Sequence, residues 1–260
     1  MKKIKEMYYQ HILNKNKENQ KKRYEGKKQW FQASNAGNCY KKHWLQVNGY
    51  QKGDSPLEGS MKMELGNAIH RTIQEGLLWY CNKNNIPYLE EYLLEMPEIN
   101  VRGHCDIIFP NYEYNNKIVT SVIDIKSMGV YPYRLRFGIA KNRRPSNGLT
   151  ETQLGTYALM IISMREKGEL LDGKHKINPL IMEALFYRKD DSACKQVLIE
   201  KKYIDIAKEY WQQVKWFMEE HDNPQEEPEV GMIGIPFQNW ECDYCSFNNC
   251  CKGNLATKKK

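Results

Sequence analysis

The sequence lacks any long apolar run. No segment approaches the roughly 18 apolar residues that a membrane-spanning helix needs, so no contact with a membrane is expected. The first ten residues, MKKIKEMYYQ, contain no apolar core of a secretory signal, which predicts a cytoplasmic protein. Internal repeats are also missing. Because 41% of the 260 residues are hydrophobic, the chain can bury a full core and is expected to form one α/β domain, or one core with appendages.

Net charge is lacking from most of the chain. Residues 1–28 contain ten basic and three acidic residues, which account for the whole formal charge of +7. The rest of the chain carries equal numbers of both signs, so nucleic acid binding there must depend on local patches. This basic arm is interpreted either as a solvated tail or as a segment that contacts phosphate.

Composition divides the chain into three regions. The basic arm precedes a core at residues 29–230, and a cysteine-rich segment occupies residues 231–260. Within the core, hydrophobic periodicity and turn residues predict helices and strands. The helices are expected at Cys39–Asn48, about 61–82, about 151–167 and Ile204–Glu220. The strands are expected at Tyr88–Met96, Val101–Phe109, Ile118–Lys126, Leu180–Arg188 and Gln196–Ile199.

The same patterns predict several local details. Ser60 and Thr150 are expected to cap the second and third helices. A stripe in the second helix is expected to face the core, and its members are Leu65, Ile69, Ile73 and Leu77. Residues 131–148 contain five basic and no acidic residues and are interpreted as a basic, partly mobile loop with some helix.

The second and third strands are predicted to form an antiparallel hairpin. They flank Pro110–Lys117, a polar turn segment rich in asparagine. A turn centred near Asn115 makes Asp106 and Asp124 cross-strand or diagonal neighbours, with Cβ atoms roughly 5–8 Å apart.

Strand alternation then predicts which side chains share a face. Cys105 and Ile107 are expected to point away from the face of Asp106, while Asp124 and Lys126 point together. Two carboxylates this close suit Mg²⁺ or Mn²⁺. Lys126 can hold a water or hydroxide near such a metal, or stabilise charge that develops on a phosphate. The ordinary interpretation of such alternation is a solvent-facing strand.

Two helical pairs accompany the hairpin. Gly66 and His70 are four residues apart, and the missing side chain at Gly66 leaves room over the imidazole, so His70 is either a metal ligand or a histidine at the border of the apolar stripe. Gln153 and Tyr157 also share a helical face. Thr150-x-x-Gln153 matches a capping box, so Gln153 either completes a helix start, faces the site, or does both.

Four motifs therefore occur in order along the chain. They are Gly66-x-x-x-His70, Gly103-x-x-Asp106, Asp124-x-Lys126 and Gln153-x-x-x-Tyr157. In this order and spacing they resemble the motifs of the PD-(D/E)XK nuclease superfamily, specifically its RecB-like exonuclease branch.

This resemblance implies a restriction-endonuclease-like mixed sheet flanked by helices. It implies a Mg²⁺ or Mn²⁺ site with these ligands: His70, Asp106, Asp124 and the backbone carbonyl of Ile125. Lys126 would be the catalytic lysine, and Gln153 and Tyr157 would orient it and contact DNA. Asp124 stands where many relatives carry Glu, which keeps the charge but leaves the metal preference open.

The cysteines are numerous for a chain with no secretory signal. Eight of them point to thiols, a metal or a cluster rather than to disulfides. Cys81, Cys105 and Cys194 are isolated in the sequence and are interpreted as buried, inert thiols.

The remaining cysteines are candidates for a metal centre. Cys242, Cys245 and Cys251 supply three thiolates, and such a centre needs a fourth. The side chain of Cys250 should diverge from that of its neighbour. Cys39 is therefore the better fourth candidate, because it opens a predicted helix whose dipole favours a thiolate.

One N-terminal cysteine followed by a C-terminal C-x2-C-x5-C is similar to the iron–sulfur subset of these exonucleases. That subset includes the CRISPR-associated exonucleases, their phage-encoded relatives and the AddB nuclease domain. The resemblance implies a four-iron four-sulfur cluster on Cys39, Cys242, Cys245 and Cys251 that joins the N- and C-terminal segments. Zinc is the alternative occupant, because four thiolates bind it readily.

The preferred hypothesis is a metal-dependent DNA exonuclease that acts on single strands or ends. DNA is expected to contact Arg134–Arg144 and to stack on Tyr131 or Tyr133, unless this loop is only a solvated basic turn. The resemblance also suggests a subunit that processes or measures DNA ends beside an integrase, helicase or recombinase partner, and it is compatible with oligomers. A zinc-stabilised DNA-binding module without catalysis is the third hypothesis.

Overall fold

The centre of the sheet is the hairpin that the sequence predicts. In a computed structural model, which describes residues 3–24, 30–53, 57–138, 146–169, 178–228 and 240–253, strands β3 (Val101–Tyr114) and β4 (Lys117–Met128) pair antiparallel. Asn115 and Asn116 form the turn, and both have the positive φ that a tight hairpin turn requires. The predicted turn segment Pro110–Lys117 is too long, because strand β3 continues through Pro110 and ends at Tyr114.

The hairpin belongs to a mixed sheet of six strands, counted over the described residues. The other strands are β1 (Phe31–Gln32), β2 (Leu89–Met96), β5 (Leu180–Arg188) and β6 (Cys194–Ile199). Their order is β1-β3-β4-β5-β6, with β2 also paired to β3. β1 is parallel to β3 and β4 is parallel to β5, whereas β2–β3 and β5–β6 are antiparallel. The predicted α/β class is confirmed.

Helices flank this sheet. They are α1 (Ile4–Tyr24), α2 (Tyr40–Val47), α3 (Leu57–Lys83), α4 (Val130–Phe137), α5 (Leu149–Glu166), α6 (Lys202–Glu220) and α7 (Trp240–Tyr244). Across the described ranges, none of them combines the length and the apolar character needed to cross a membrane.

Two predicted helix starts are wrong. α3 begins before Ser60, which therefore lies inside the helix and does not cap it. The residue before α5 is Gly148, with φ 77°, so Thr150 lies within the first turn. Asn147 Oδ1 accepts a hydrogen bond from the first backbone N–H of α5 at 3.3 Å, so the capping oxygen comes from the preceding loop.

The helices bury two hydrophobic clusters on opposite faces of the sheet. α5 and α6 contribute Leu154 and Trp211 to the main cluster, and α3 contributes Leu78 to the second. Val122 of β4 belongs to the main cluster and Ile125 to the second. These two strand residues are an odd number of positions apart, so the clusters lie on opposite faces.

The apolar stripe predicted for α3 is only partly correct. Ile73 and Leu77 pack on the second cluster, but Leu65 is 52% exposed. The fully buried positions of the C-terminal half are instead Gln74 and Leu78, together with a cysteine one turn further on. The N-terminal half of α3 lines a cleft rather than packing on the sheet, which explains the exposure.

The faces of β3 change at Asp106. Cys105 and Ile108 belong to the main cluster, whereas Ile107 belongs to the second. The expectation that Cys105 and Ile107 share a face is therefore wrong. On the neighbouring strand β2, Glu91 has φ 44°, which marks an irregularity at the same level of the sheet.

The basic arm contributes a packed helix to the described structure. α1 packs against α3 and buries Ile12. Lys15 forms an ion pair with Glu64 of α3, with 2.6 Å between the ammonium and the carboxylate. The first part of the arm is therefore not a fully solvated tail.

Candidate active site

A large cleft of about 1410 Å³ opens between α3 and the hairpin. Every residue that the sequence assigned to the catalytic site lines it: His70, Asp106, Asp124, Ile125, Lys126, Gln153 and Tyr157. These residues come from two helices and two strands, and the fold brings them to one place.

The cleft reaches the sheet where β3 exchanges one partner for another. β3 pairs with β1 at Val101 and Arg102, and with β4 from Ile107 onward. Because β2 occupies the other edge of β3, β1 and β4 share one edge and leave a gap between them. A Cβ atom at Gly103, in this gap, would lie 2.7 Å from an alanine Cβ and 3.0 Å from Tyr157 Cε1. Glycine therefore lets Tyr157 reach the gap.

Asp106 is held at the edge of this gap. Its Oδ2 accepts a hydrogen bond from the backbone N–H of Ile125 at 2.6 Å and lies 2.8 Å from His70 Nε2. The hydrogen bond to Asp106 raises the pKa of His70, although partial burial opposes this effect. Gln74 donates a hydrogen bond to the Asp106 carbonyl at 3.3 Å, which further fixes the strand.

Asp124, Lys126, Gln153 and Tyr157 form one hydrogen-bond network. Lys126 Nζ donates to Asp124 Oδ1 and to Gln153 Oε1, both at 2.9 Å. The amide nitrogen of Gln153 lies 3.0 Å from Asp124 Oδ1 and 3.1 Å from the Tyr157 hydroxyl. The side chain of Gln153 thus faces the site and does not complete a capping box.

The carboxylate of Asp124 is unusual for its burial. Asp124 is 1% exposed, and burial raises its pKa to about 6; Lys126 opposes this rise, while the charge of Asp106 adds to it. Its Oδ2 lies 2.8 Å from Lys126 Nζ but receives no well-oriented hydrogen bond within the described residues. A buried carboxylate oxygen with spare acceptor capacity fits a bound cation.

A third acidic group belongs to this site. Ligand atoms of His70, Glu91 and Asp106 all lie within 4.8 Å of one another, an arrangement that fits a divalent metal. Two of these residues are in the predicted ligand set, whereas Glu91 is not. Glu90 and Glu91 stand together on a predicted strand, so the sequence offered a signal for an acid there but no means of choosing between them.

Some of the described residues that the sequence assigned to DNA binding are not available to contact DNA. Tyr131 is 68% exposed, but Tyr133 is buried against Phe137, so it is not available for base stacking. Arg136 pairs with Glu151 of α5 and lies over an aromatic ring of β5, so its role is structural. The segment expected to be a loop begins with helix α4, and residues 139–145 lie outside the described structure.

Basic side chains that line the cleft come from other segments. They are Lys52, Lys62, Arg71 and Lys189, in addition to Lys126. Sequence reasoning missed them because they are single lysines or arginines in unrelated elements, and only the fold brings them to one surface.

A second, smaller cavity of about 140 Å³ holds the cysteines. Cys39, Cys242, Cys245 and Cys251 line it. The Sγ of Cys250 lies instead 3.6 Å from a backbone carbonyl of the α2–α3 connection. This is the divergence that the sequence predicts for adjacent cysteines.

Two of the four thiols in this cavity have raised pKa values, so they are harder to ionise than a free cysteine. Burial raises the pKa of Cys39, and the neighbouring thiols of Cys245 and Cys242 add to the shift. Burial also raises the pKa of Cys251 to about 11, while Lys41 opposes the rise. Four converging thiols whose ionised forms repel one another fit a cationic centre that would neutralise them.

An ion pair and hydrogen bonds also join the N-terminal and C-terminal segments beside this cavity. Lys41 of α2 forms a buried ion pair with Glu227 at 2.8 Å and donates a hydrogen bond to the Lys252 carbonyl at 2.8 Å. The backbone N–H of Gly53 donates to the Ser246 carbonyl at 2.8 Å. The acidic stretch at residues 221–228 is thus anchored through Glu227.

The three isolated cysteines lie elsewhere. Cys81 and Cys105 are buried, as expected. Cys194 is exposed, so that expectation is wrong. It begins β6, which pairs only with β5 among the described strands and therefore lies at an edge of the sheet.

No protein-family model and no curated protein matches the chain. Solved structures do match, and one of them is described as the crystal structure of SSO0001. The similarity has a TM-score of 0.50 at 15% sequence identity and covers 96% of this chain and 98% of the other. At this identity the similarity concerns the fold, which the two chains share over nearly their whole length.

Proposed function

We propose that the protein is a metal-dependent deoxyribonuclease of the RecB-like PD-(D/E)XK type, an exonuclease that acts on single-stranded DNA or DNA ends. The observation that carries the proposal is the convergence of Asp106, Asp124 and Lys126 in one cleft, beside His70 and Gln153. Four dispersed sequence motifs thus meet at the gap in the sheet.

The residues of the cleft fit a catalytic Mg²⁺ or Mn²⁺. His70, Glu91 and Asp106 would hold it, with Asp124 and the Ile125 carbonyl as further ligands. A bound divalent cation would polarise the scissile phosphate and lower the pKa of a bound water.

The chain's own groups supply the remaining chemistry. Asp124 and Gln153 fix the Lys126 ammonium by two hydrogen bonds of 2.9 Å. An ammonium held in this way can orient the attacking water or stabilise negative charge on the phosphate. Tyr157 holds the amide of Gln153 and therefore acts through it.

The size of the cleft favours a polymeric substrate. Its volume of about 1410 Å³ exceeds the 300–1,000 Å³ that is usual for small-molecule sites. Lysines and an arginine line its walls, which suits a phosphodiester backbone.

The cysteine cavity supports a second part of the proposal, a four-iron four-sulfur cluster with a structural role. Zinc remains the alternative, since both centres take four thiolates. Iron, zinc and sulfide analysis after anaerobic purification, with an absorption spectrum near 400 nm, separates the two.

Asp124→Asn tests the nuclease directly, because it keeps the shape of the side chain and removes its charge. We expect cleavage of end-labelled single-stranded DNA with Mn²⁺ or Mg²⁺ to fall at least about 100-fold, while DNA binding persists. Asp205→Asn, in the exposed first turn of α6, is the control and should cleave like the unaltered chain. Equal cleavage by Asp124→Asn would contradict the assignment. Cleavage that requires an added integrase, helicase or recombinase would favour the subunit alternative.

A further inference from the structure

The N-terminal half of α3 presents a row of residues to the cleft. Lys62, Gly66 and His70 are spaced four apart, so they share one face of the helix, and all three line the cleft. Lys62 is about 12 Å from His70 along the helix axis. This end of the row therefore lies about two helical turns away from the metal-binding residue His70.

Donor groups from strand β4 and from the β5–β6 turn meet the helix at Gly66. A Cβ atom there would lie 3.2 Å from Ser127 Oγ and 3.4 Å from Lys189 Nζ. The glycine thus makes room for the end of β4 and for the β5–β6 turn, and not for the imidazole as the sequence suggested. Lys189 is fixed from both sides, since its backbone N–H donates to the Met128 carbonyl and its Nζ donates to the Lys62 carbonyl at 3.1 Å.

Two lysines are brought together at this point, with Asp190 beside Lys189. Burial lowers the pKa of Lys189, and the charge of Lys62 lowers it further, while exposed Asp190 opposes both. The nearby Glu64 of α3 is engaged by Lys15 of α1. Like charges held close are relieved by an anion between them.

We propose that Lys62, Ser127 and Lys189 form a second phosphate-binding site, which holds a non-scissile phosphate of the DNA strand. This inference rests on the proposed function, since it places the strand along α3 from His70 toward Lys62. Gly66 keeps the helix backbone close to that phosphate. Together with the metal site, this second site determines how many nucleotides of the strand the protein contacts along α3.

The salt dependence of DNA binding tests the site. If the two lysines had a purely structural role, replacing them would not change this dependence. The probe is a fluorescent single-stranded oligonucleotide, titrated with the full chain carrying Asp124→Asn to prevent cleavage. Adding Lys189→Ala or Lys62→Ala should weaken binding and raise the Kd about 10-fold at low salt. Each should also reduce the slope of log K against log salt by about 0.7, the value for one lost phosphate contact with a single strand.

Control substitutions are available for the lysines and for the glycine. Lys215→Ala, on the exposed face of α6, should leave both Kd and slope unchanged. Gly66→Ala should weaken binding because the new Cβ would crowd Ser127 and Lys189, whereas Gly76→Ala, in the same helix with nothing within 4 Å, should not.

Cleavage by the chain without Asp124→Asn separates this inference from the proposed function. Cleavage with altered slopes supports both, and cleavage with unaltered slopes overturns the phosphate site alone. Altered slopes without cleavage of any DNA support the phosphate site and overturn the nuclease. Neither cleavage nor altered slopes overturns both.

Discussion

The carboxylate cleft and the cysteine cavity both collect reactive side chains from distant segments, but different forces hold them. In the cleft, Lys126, Asp124 and Gln153 bind one another directly, so the protein arranges the site by its own hydrogen bonds. In the cavity, burial raises the pKa values of Cys39 and Cys251, and the surrounding segments are joined by contacts such as Lys41 with Glu227.

This difference predicts that substitutions in the cleft mainly affect activity, whereas substitutions in the cavity mainly affect stability. A site that is prearranged by its own polar groups should lose activity, and little stability, when one group is removed. If the cysteine cavity binds the proposed metal centre, the protein should lose stability when that centre is removed, because metal binding contributes to the free energy of folding.

The largest effect is expected for Lys126→Met. Cleavage should fall at least about 100-fold, because the ammonium that we propose to act on the phosphate is gone. Lys117→Met, at the exposed far end of the same strand β4, should retain activity. Cleavage rates and thermal unfolding measured on both proteins check the comparison. It fails if Lys126→Met loses activity only through unfolding.

The next effect is expected for Cys245→Ser. Loss of one thiol of the proposed centre should lower the metal content of the purified protein and lower the midpoint of thermal unfolding by at least about 5 °C. Cys250→Ser is the control, since its sulfur lies outside the cavity, and it should keep both metal content and midpoint. Equal losses in the two proteins would show that the cavity has no special role.

The smallest effect is a pH dependence that arises from two groups of the cleft. The pKa of Asp124 is raised from 3.8 to about 6, so the folded state holds this proton more tightly than the unfolded state. In metal-free buffer, the contribution of Asp124 to stability should therefore fall as pH rises from about 4 to about 6. The raised pKa of His70 continues the fall above its ordinary 6.5. Urea midpoints at several pH values measure both.

Asp124→Asn is the control for this dependence. The difference in urea midpoint between this protein and the unaltered chain should change between about pH 4 and pH 6, because only the unaltered chain has the Asp124 carboxyl. A difference that stays constant over this range would contradict the assignment.

Much of the local structure could be predicted from sequence, because local rules are sufficient there. Strand alternation correctly placed Asp124 and Lys126 together, and the asparagines near residue 115 form the turn of the hairpin. The same alternation failed at Asp106, where the change of face in β3 depends on the strands beside it. Glu91 was missed for the same reason.

The sequence by itself determined the order of the main helices and strands of the core, the spacing of the four motifs, and the divergence of Cys250 from Cys251, whereas α1, β1 and α7 were not predicted. These follow from backbone periodicity and from what adjacent residues can do. Only the tertiary structure decided that Glu91 joins the site and that Lys189 meets Lys62 across Gly66. Such contacts depend on how closely two elements approach, a distance that packing of the whole core sets.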